Sequence, residues 1–165
     1  MREHLLFLMQ RELDALAREV TLYPSDDALW RPVPGQPNVG GTLVLHLCGN
    51  LRHFIGAVLG GSGYVRNRNA EFSTSNVSRR ELLTLIAAAR VEVTAAMTLL
   101  DEAVFDQVYP PEHNEFPVRA DLLMLHLLAH LAFHLGQVDY HRRAATGDAT
   151  SASPMSVQTL AARFK

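Results

Sequence analysis

The stretch LLMLHLLAHLAFHLGQ, residues 122–137, constrains this chain more than any other segment. It is apolar at nearly every position, yet His126, His130 and His134 interrupt it at a constant step of four. On an α-helix at ~100° per residue, that step turns by only ~40°, so the imidazoles, followed by Gln137 and His141, form one slowly winding stripe. A helix that is apolar on its remaining faces is expected to be buried, with the stripe directed into a bundle or across a subunit contact. A buried imidazole needs partners for its ring nitrogens. Two of them at i and i+4 can offer nitrogens to one transition-metal ion.

The rest of the chain reads as helix and loop, without strand alternation or internal repeat. Leu5, Met9, Leu13, Leu16 and Val20 recur at steps of three and four and predict a first helix over residues 3–22. The proline-rich YPSDDALWRPVPGQPN then forbids continuous helix. Asn38 is the expected N-cap of a second helix that ends at Gly60-Gly61. The polar segment SGYVRNRNAEFSTSN reads as loop. Ser78 and Glu81 match a capping box that opens a third helix, carried to residue 100 by Leu82, Ile86, Ala89, Val93 and Ala96. After the breaker YPPEHNEFP, a fourth helix runs from residue 118 to just before Gly147, and the tail past Pro154 carries a weak helical pattern. The expected fold class is all-α: a four-helix bundle in a single domain over residues 1–165, with long loops after helices 1, 2 and 3. Loops longer than bundles usually need suggest covers over a site.

Composition narrows the function classes. The 165 residues are 48% hydrophobic and 19% charged, with a net charge of −2, a globular balance without the basic footprint of a nucleic-acid binder. Cys48 is the single cysteine, so no internal disulfide forms, which favours a reducing, cytoplasmic setting. The N-terminal apolar run LLFLM is too short for a secretory signal. Residues 122–135 fall short of the ~20 that span a bilayer, so neither membrane nor nucleic acid is an expected partner. No glutamate stands three residues before a histidine, and neither H-E-x-x-H, G-x-S-x-G nor a phosphate-binding glycine loop occurs.

The second helix supplies a counterpart stripe. In LVLHLCGNLRHFIGAVL, His46, Asn50 and His53 share one face among leucines. One histidine from this helix and two from the fourth would make a three-nitrogen set with open coordination positions, the arrangement of a catalytic metal. Bland alternatives attach to individual residues. His46 alone would be a hydrogen-bonded core residue, His53 beside Arg52 a surface residue, and His141 in YHRR a cation at the helix C-terminus. His4 and His113 carry no signal. Asn50 or Gln137 is placed to orient metal ligands.

With both stripes in view, the chain resembles the DinB-like superfamily, metal-binding four-helix bundles that include the YfiT-like proteins. The likeness covers roughly residues 2–147 and rests on NVGGTLVLHLCGNLRHF and HLLAHLAFHLGQVDYHRR. It implies a divalent metal, Zn²⁺ or Ni²⁺, held by His46, His130 and His134. His126, one turn too early for that set, is left as a substrate contact or catalytic group. The segment RNRNAEF is similar to an element of some subfamilies and implies Arg66, Arg68 and Glu71 as pocket residues. Relatives resemble thiol transferases that use low-molecular-weight bacterial thiols, or metal-dependent hydrolases, and homodimers are common among them. The implied function is that of a metal-dependent thiol S-transferase or hydrolase acting on a small-molecule substrate. The competing expectation is a non-catalytic helical dimer whose histidines serve the core or a structural metal, with a haem-binding bundle third.

Overall fold

The computed structural model describes residues 1–110, 117–152 and 155–163; His113 and Pro154 lie outside them. Its helices are α1 (Arg2–Leu22), α2 (Asp26–Leu29), α3 (Gly40–Leu51), α4 (Arg68–Ser73), α5 (Arg79–Leu99), α6 (Ala120–Thr146) and α7 (Val157–Arg163). The four long rods expected from periodicity are α1, α3 with its continuation, α5 and α6. α1 and α3 each lie against both α5 and α6, so they occupy opposite corners of the bundle. Among the described residues there is no strand, only an isolated bridge between Val108 and Arg119 that clasps the base of the loop before α6.

Local chemistry sets the boundaries. Ser78 accepts from the Glu81 amide while the Glu81 carboxylate accepts from the Ser78 amide, the reciprocal cap anticipated for α5. Gly147, at φ 76°, closes α6 in the left-handed conformation that a side chain resists. Asn38 is not a cap. α3 begins at Gly40 with Val39 as the flanking residue and no side-chain cap, because the backbone stays extended at Val39 (φ −84°, ψ 163°) and the first turn starts beyond Asn38. Two short helices occupy segments expected to be loop. Ser25 caps α2 and Asn67 caps α4, each accepting a backbone amide three residues on.

α3 does not continue as a regular helix to Gly60. Residues Arg52–Ala57 form a π-helical stretch, in which Val58 donates to His53 and Gly60 to Ile55, both at 3.0 Å. The Phe54 carbonyl within it accepts the Tyr109 hydroxyl at 2.9 Å.

α6 is less enclosed than its composition suggests. Leu123, Met124, Leu127, Leu131 and Val138 are buried in the core, whereas Leu122, Leu125 and Phe133 stand exposed on the opposite side. At its full length α6, like α5, is long and apolar enough to cross a membrane, unlike residues 122–135 alone. Both helices bury one side in the bundle core, where Leu82, Ile86, Val93 and Met97 of α5 are also buried.

The deepest polar feature is Arg142, fully buried on α6. Its guanidinium donates to Glu19 of α1 at 2.6 Å, to Asp139, and to the carbonyls of Asp148 and Thr150. It thereby neutralises a buried carboxylate and ties the chain after α6 to the bundle. The tail forms α7, whose Arg163 stands 5.9 Å from the Phe7 ring of α1.

Candidate metal centre

α3 and α6 run antiparallel. Gly40 at the start of α3 sits beside His141 near the end of α6, and His46 sits between His130 and His134. That register brings one ring-nitrogen ligand atom from each of His46, His130 and His134 within 4.8 Å of one another. Nε2 of His46 lies 3.2 Å from Nε2 of His130. The His130 and His134 rings meet nearly edge-to-face at 4.5 Å between centroids.

Oxygen acceptors fix two of the three tautomers. Nδ1 of His46 lies 2.9 Å from the Glu71 carboxylate, and Nδ1 of His134 lies 2.6 Å from Oε1 of Gln137. A carboxylate or amide oxygen can only accept, so each Nδ1 carries the proton and each Nε2 keeps a bare lone pair. His46 then turns its lone pair toward His130 at a spacing that two imidazoles spanning one cation at ~2.0–2.1 Å would adopt. Burial holds His130 down to about 4, helped by the neighbouring His134 and His46. Burial also lowers His46 in spite of its Glu71 partner. Both rings are therefore neutral near pH 7, the form that ligates metal. Nδ1 of His130 and Oδ1 of Asn50 are buried without a hydrogen-bond partner among the described residues. The antiparallel register sets Asn50, one turn beyond His46, level with His126 and His130. An all-nitrogen set, a buried carboxylate behind it and orphaned polar atoms beside it together fit a borderline transition ion.

Glu71 reaches His46 because of α4 and a glycine. The short helix presents the carboxylate to α3, where a Cβ on Gly49 would overlap it. Arg66 secures the far side, donating from Nε to Oε1 at 2.7 Å and from Nη2 to Oε2 at 3.0 Å. Of the three residues implied by RNRNAEF, Glu71 and Arg66 thus join the cluster. Arg68 does not; it is exposed, with its guanidinium 5.1 Å from the Phe72 ring, and Phe72 in turn stacks 5.0 Å from His46. Asn67 before Glu71 was the available sign of a short capped helix in that segment.

The remaining histidines divide. His126 is exposed at the mouth, its ring 6.1 Å from that of His130. His53, seven residues beyond His46, packs on Phe54 at 4.8 Å and is not one of the three converging histidines. His141 is not a surface cation at a helix end. It is fully buried, with Nδ1 2.8 Å from the Tyr23 hydroxyl and Nε2 2.9 Å from the Arg31 carbonyl, and burial lowers its pKa. Cys48, on the far side of α3, is buried with its thiol pushed up to about 12, which makes it a poor nucleophile.

A family model described as MST, mycothiol-S-transferase, matches residues 4–147. No curated protein and no solved structure matches the chain significantly.

Proposed function

The chain belongs to the mycothiol-S-transferase family, within the DinB/YfiT-like metal-binding superfamily, and from that premise we propose that it joins mycothiol through its sulfur to a small electrophile at a metal held by His46, His130 and His134, the thiol losing its proton as the carbon–sulfur bond forms. The observation that carries this reading is the convergence of three imidazoles from two helices, two of them with Nε2 left bare by oxygen partners on Nδ1. Zn²⁺ or Ni²⁺ suits three imidazoles with open positions, and such an ion, when bound, lowers the pKa of a coordinated thiol so that a nucleophile exists near neutral pH.

The protein's own residues do the remaining work. Glu71, clamped by Arg66, holds the His46 ring in one tautomer and one orientation, and Gln137 does the same for His134. Asn50 supplies an uncommitted oxygen at the level of His130. His126, exposed one turn before His130, is placed to receive the proton released by the thiol and pass it to solvent. The family match favours thiol transfer over the hydrolytic chemistry also expected of the superfamily. A cytoplasmic location accompanies this reading, since the lone buried thiol has no disulfide role. A homodimer does so too: Leu122, Leu125 and Phe133 form an exposed apolar side of α6 that a second copy would cover, and light scattering across a concentration series reports it.

The test is elemental analysis of tag-free protein together with mycothiol-dependent conjugation of a fluorogenic electrophile. Wild type should hold close to one metal per chain and turn over, and His130→Ala should lose both. Equal, substoichiometric metal in the two proteins removes the proposal. Metal at full occupancy without conjugation or hydrolysis would favour a non-catalytic metal site.

A further inference from the structure

One turn along the α3–α6 seam from the histidines, the loop leading into α3 and the last turns of α6 enclose a cavity of about 210 Å³. Its polar lining is Gln36, Asn38, Gln137 and Tyr140, over a floor of Leu43, and no charged side chain lines it. Behind His46 the polar side chains are charged and paired, as in Arg66 with Glu71. Here they are neutral and uncommitted. Among the described residues the side chains of Gln36, Asn38 and Tyr140 make no hydrogen bond, and Gln137 spends only Oε1, on His134. Primary amides both donate and accept, which matches hydroxyl groups that do the same. Tyr140, 71% exposed, offers an aromatic face at the rim. The cavity is smaller than the ~300–1,000 Å³ of sites that enclose a whole drug-sized ligand, so it suits one ring-sized portion of a larger molecule.

The position fits a thiol divided into a reactive and a recognised part. From His134 to Gln137 and Tyr140 is three to six residues, ~5–9 Å along the helix axis, the reach of an acylated cysteine. We infer that this cavity is the subsite for the uncharged polyhydroxylated portion of the thiol, the aminosugar–inositol unit of mycothiol, with the sulfur extending to the histidines. This inference rests on the thiol-transfer reading above. In it Gln137 links the two parts, since the same side chain orients His134 and lines the subsite.

The probe is the N-acetylated glucosaminyl-inositol pseudodisaccharide, uncharged and lacking cysteine, titrated into the full-length, metal-loaded protein and followed by NMR of the side-chain amides. It should shift the signals of Gln36, Asn38 and Gln137. The double variant Gln36→Ala/Asn38→Ala, on an exposed loop, should bind it about tenfold more weakly or not at all, while its metal content, measured in parallel, matches wild type. Unmoved amide signals, or a double variant that binds as tightly as wild type, overturn the subsite. The two proposals fail separately. Conjugation without pseudodisaccharide binding at the cavity sinks the subsite alone, and binding there without conjugation or metal upholds the subsite while the transfer reading falls.

Discussion

Replacing Glu71 probes the geometry that holds the centre together. Its carboxylate accepts three hydrogen bonds: from His46 Nδ1 at 2.9 Å, from Arg66 Nε at 2.7 Å and from Arg66 Nη2 at 3.0 Å. In Glu71→Gln the amide nitrogen must face an N–H donor whichever oxygen it replaces, and the less damaging choice sets it against Arg66 Nε. His46 then keeps an acceptor but loses the ionised one. A charge-assisted hydrogen bond stabilises by ~1.5–3 kcal/mol against ~0.5–1.5 for a neutral one, so about 1.4 kcal/mol is lost, a tenfold weaker metal affinity. Glu71→Ala removes the acceptor altogether and should approach a hundredfold, the upper end for residues that orient a ligating histidine. Gly49→Ala should reproduce much of this without touching a hydrogen-bonding atom, since its methyl displaces the carboxylate. Combined with Glu71→Ala it should be markedly less than additive, because both changes break one contact. Competition against a chelator of known Zn²⁺ affinity at pH 7.5 measures the four variants against wild type, with circular dichroism confirming that each is folded. A Glu71→Ala affinity within twofold of wild type would refute the reasoning.

Three further outcomes follow from buried groups. Arg142→Ala strands the Glu19 carboxylate in the core and should destabilise by ~3–5 kcal/mol in urea titration; a loss below ~1 kcal/mol would mean the pair is dispensable. His46, His130 and His141 all have depressed pKa values in the folded chain, chiefly through burial. The unfolded chain therefore takes up protons first. Stability of the metal-free protein is full above ~pH 6.5 and falls as pH drops toward about 4, where folded His130 titrates, by up to ~1.4 kcal/mol per pH unit for each ring. Urea midpoints between pH 7.5 and 5 report the slope; His141→Gln should shallow it, and a flat profile would count against neutral buried imidazoles. Cys48 should react with a disulfide reagent only as fast as the protein unfolds, and modification of the native chain within minutes would contradict its burial.

Much of this was legible because helical period is a strong signal over long segments. α1, α5 and α6 follow their apolar repeats, and Ser78 with Glu81 marks its helix start by chemistry that needs no tertiary contact. The pairing of His46 with His130 and His134 was legible only through two motifs taken together, since period alone put His53, His126 and His141 on the same stripes and left His126 open as a ligand. Tertiary structure separated them. His141 needed the approach of Tyr23 from α1, a contact over 118 residues that no local pattern records. Glu71 was named as a pocket residue, but its grip on His46 depends on a segment expected to be loop folding into α4 and on an absent side chain at Gly49. Asn38 failed as a cap because Val39 after it stays extended and takes the flanking position, and it lines the cavity instead.

The widened turn at Arg52–Ala57 carries a consequence of its own. It works like a vernier between two scales. Upstream, α3 is indexed to α6 and α5 together; from the widened turn on, the rod is indexed to α5, where Arg52 grips Glu92 at 2.7 Å. Rewinding those six residues as an ordinary spiral, with none removed, would rotate everything beyond them by ~100° and carry it off α5 while leaving His46 where it is; deleting one residue at the same time would cancel the rotation. The ligand-bearing half of the rod and its structural half are thus free to drift apart in sequence, each answering to a different neighbour.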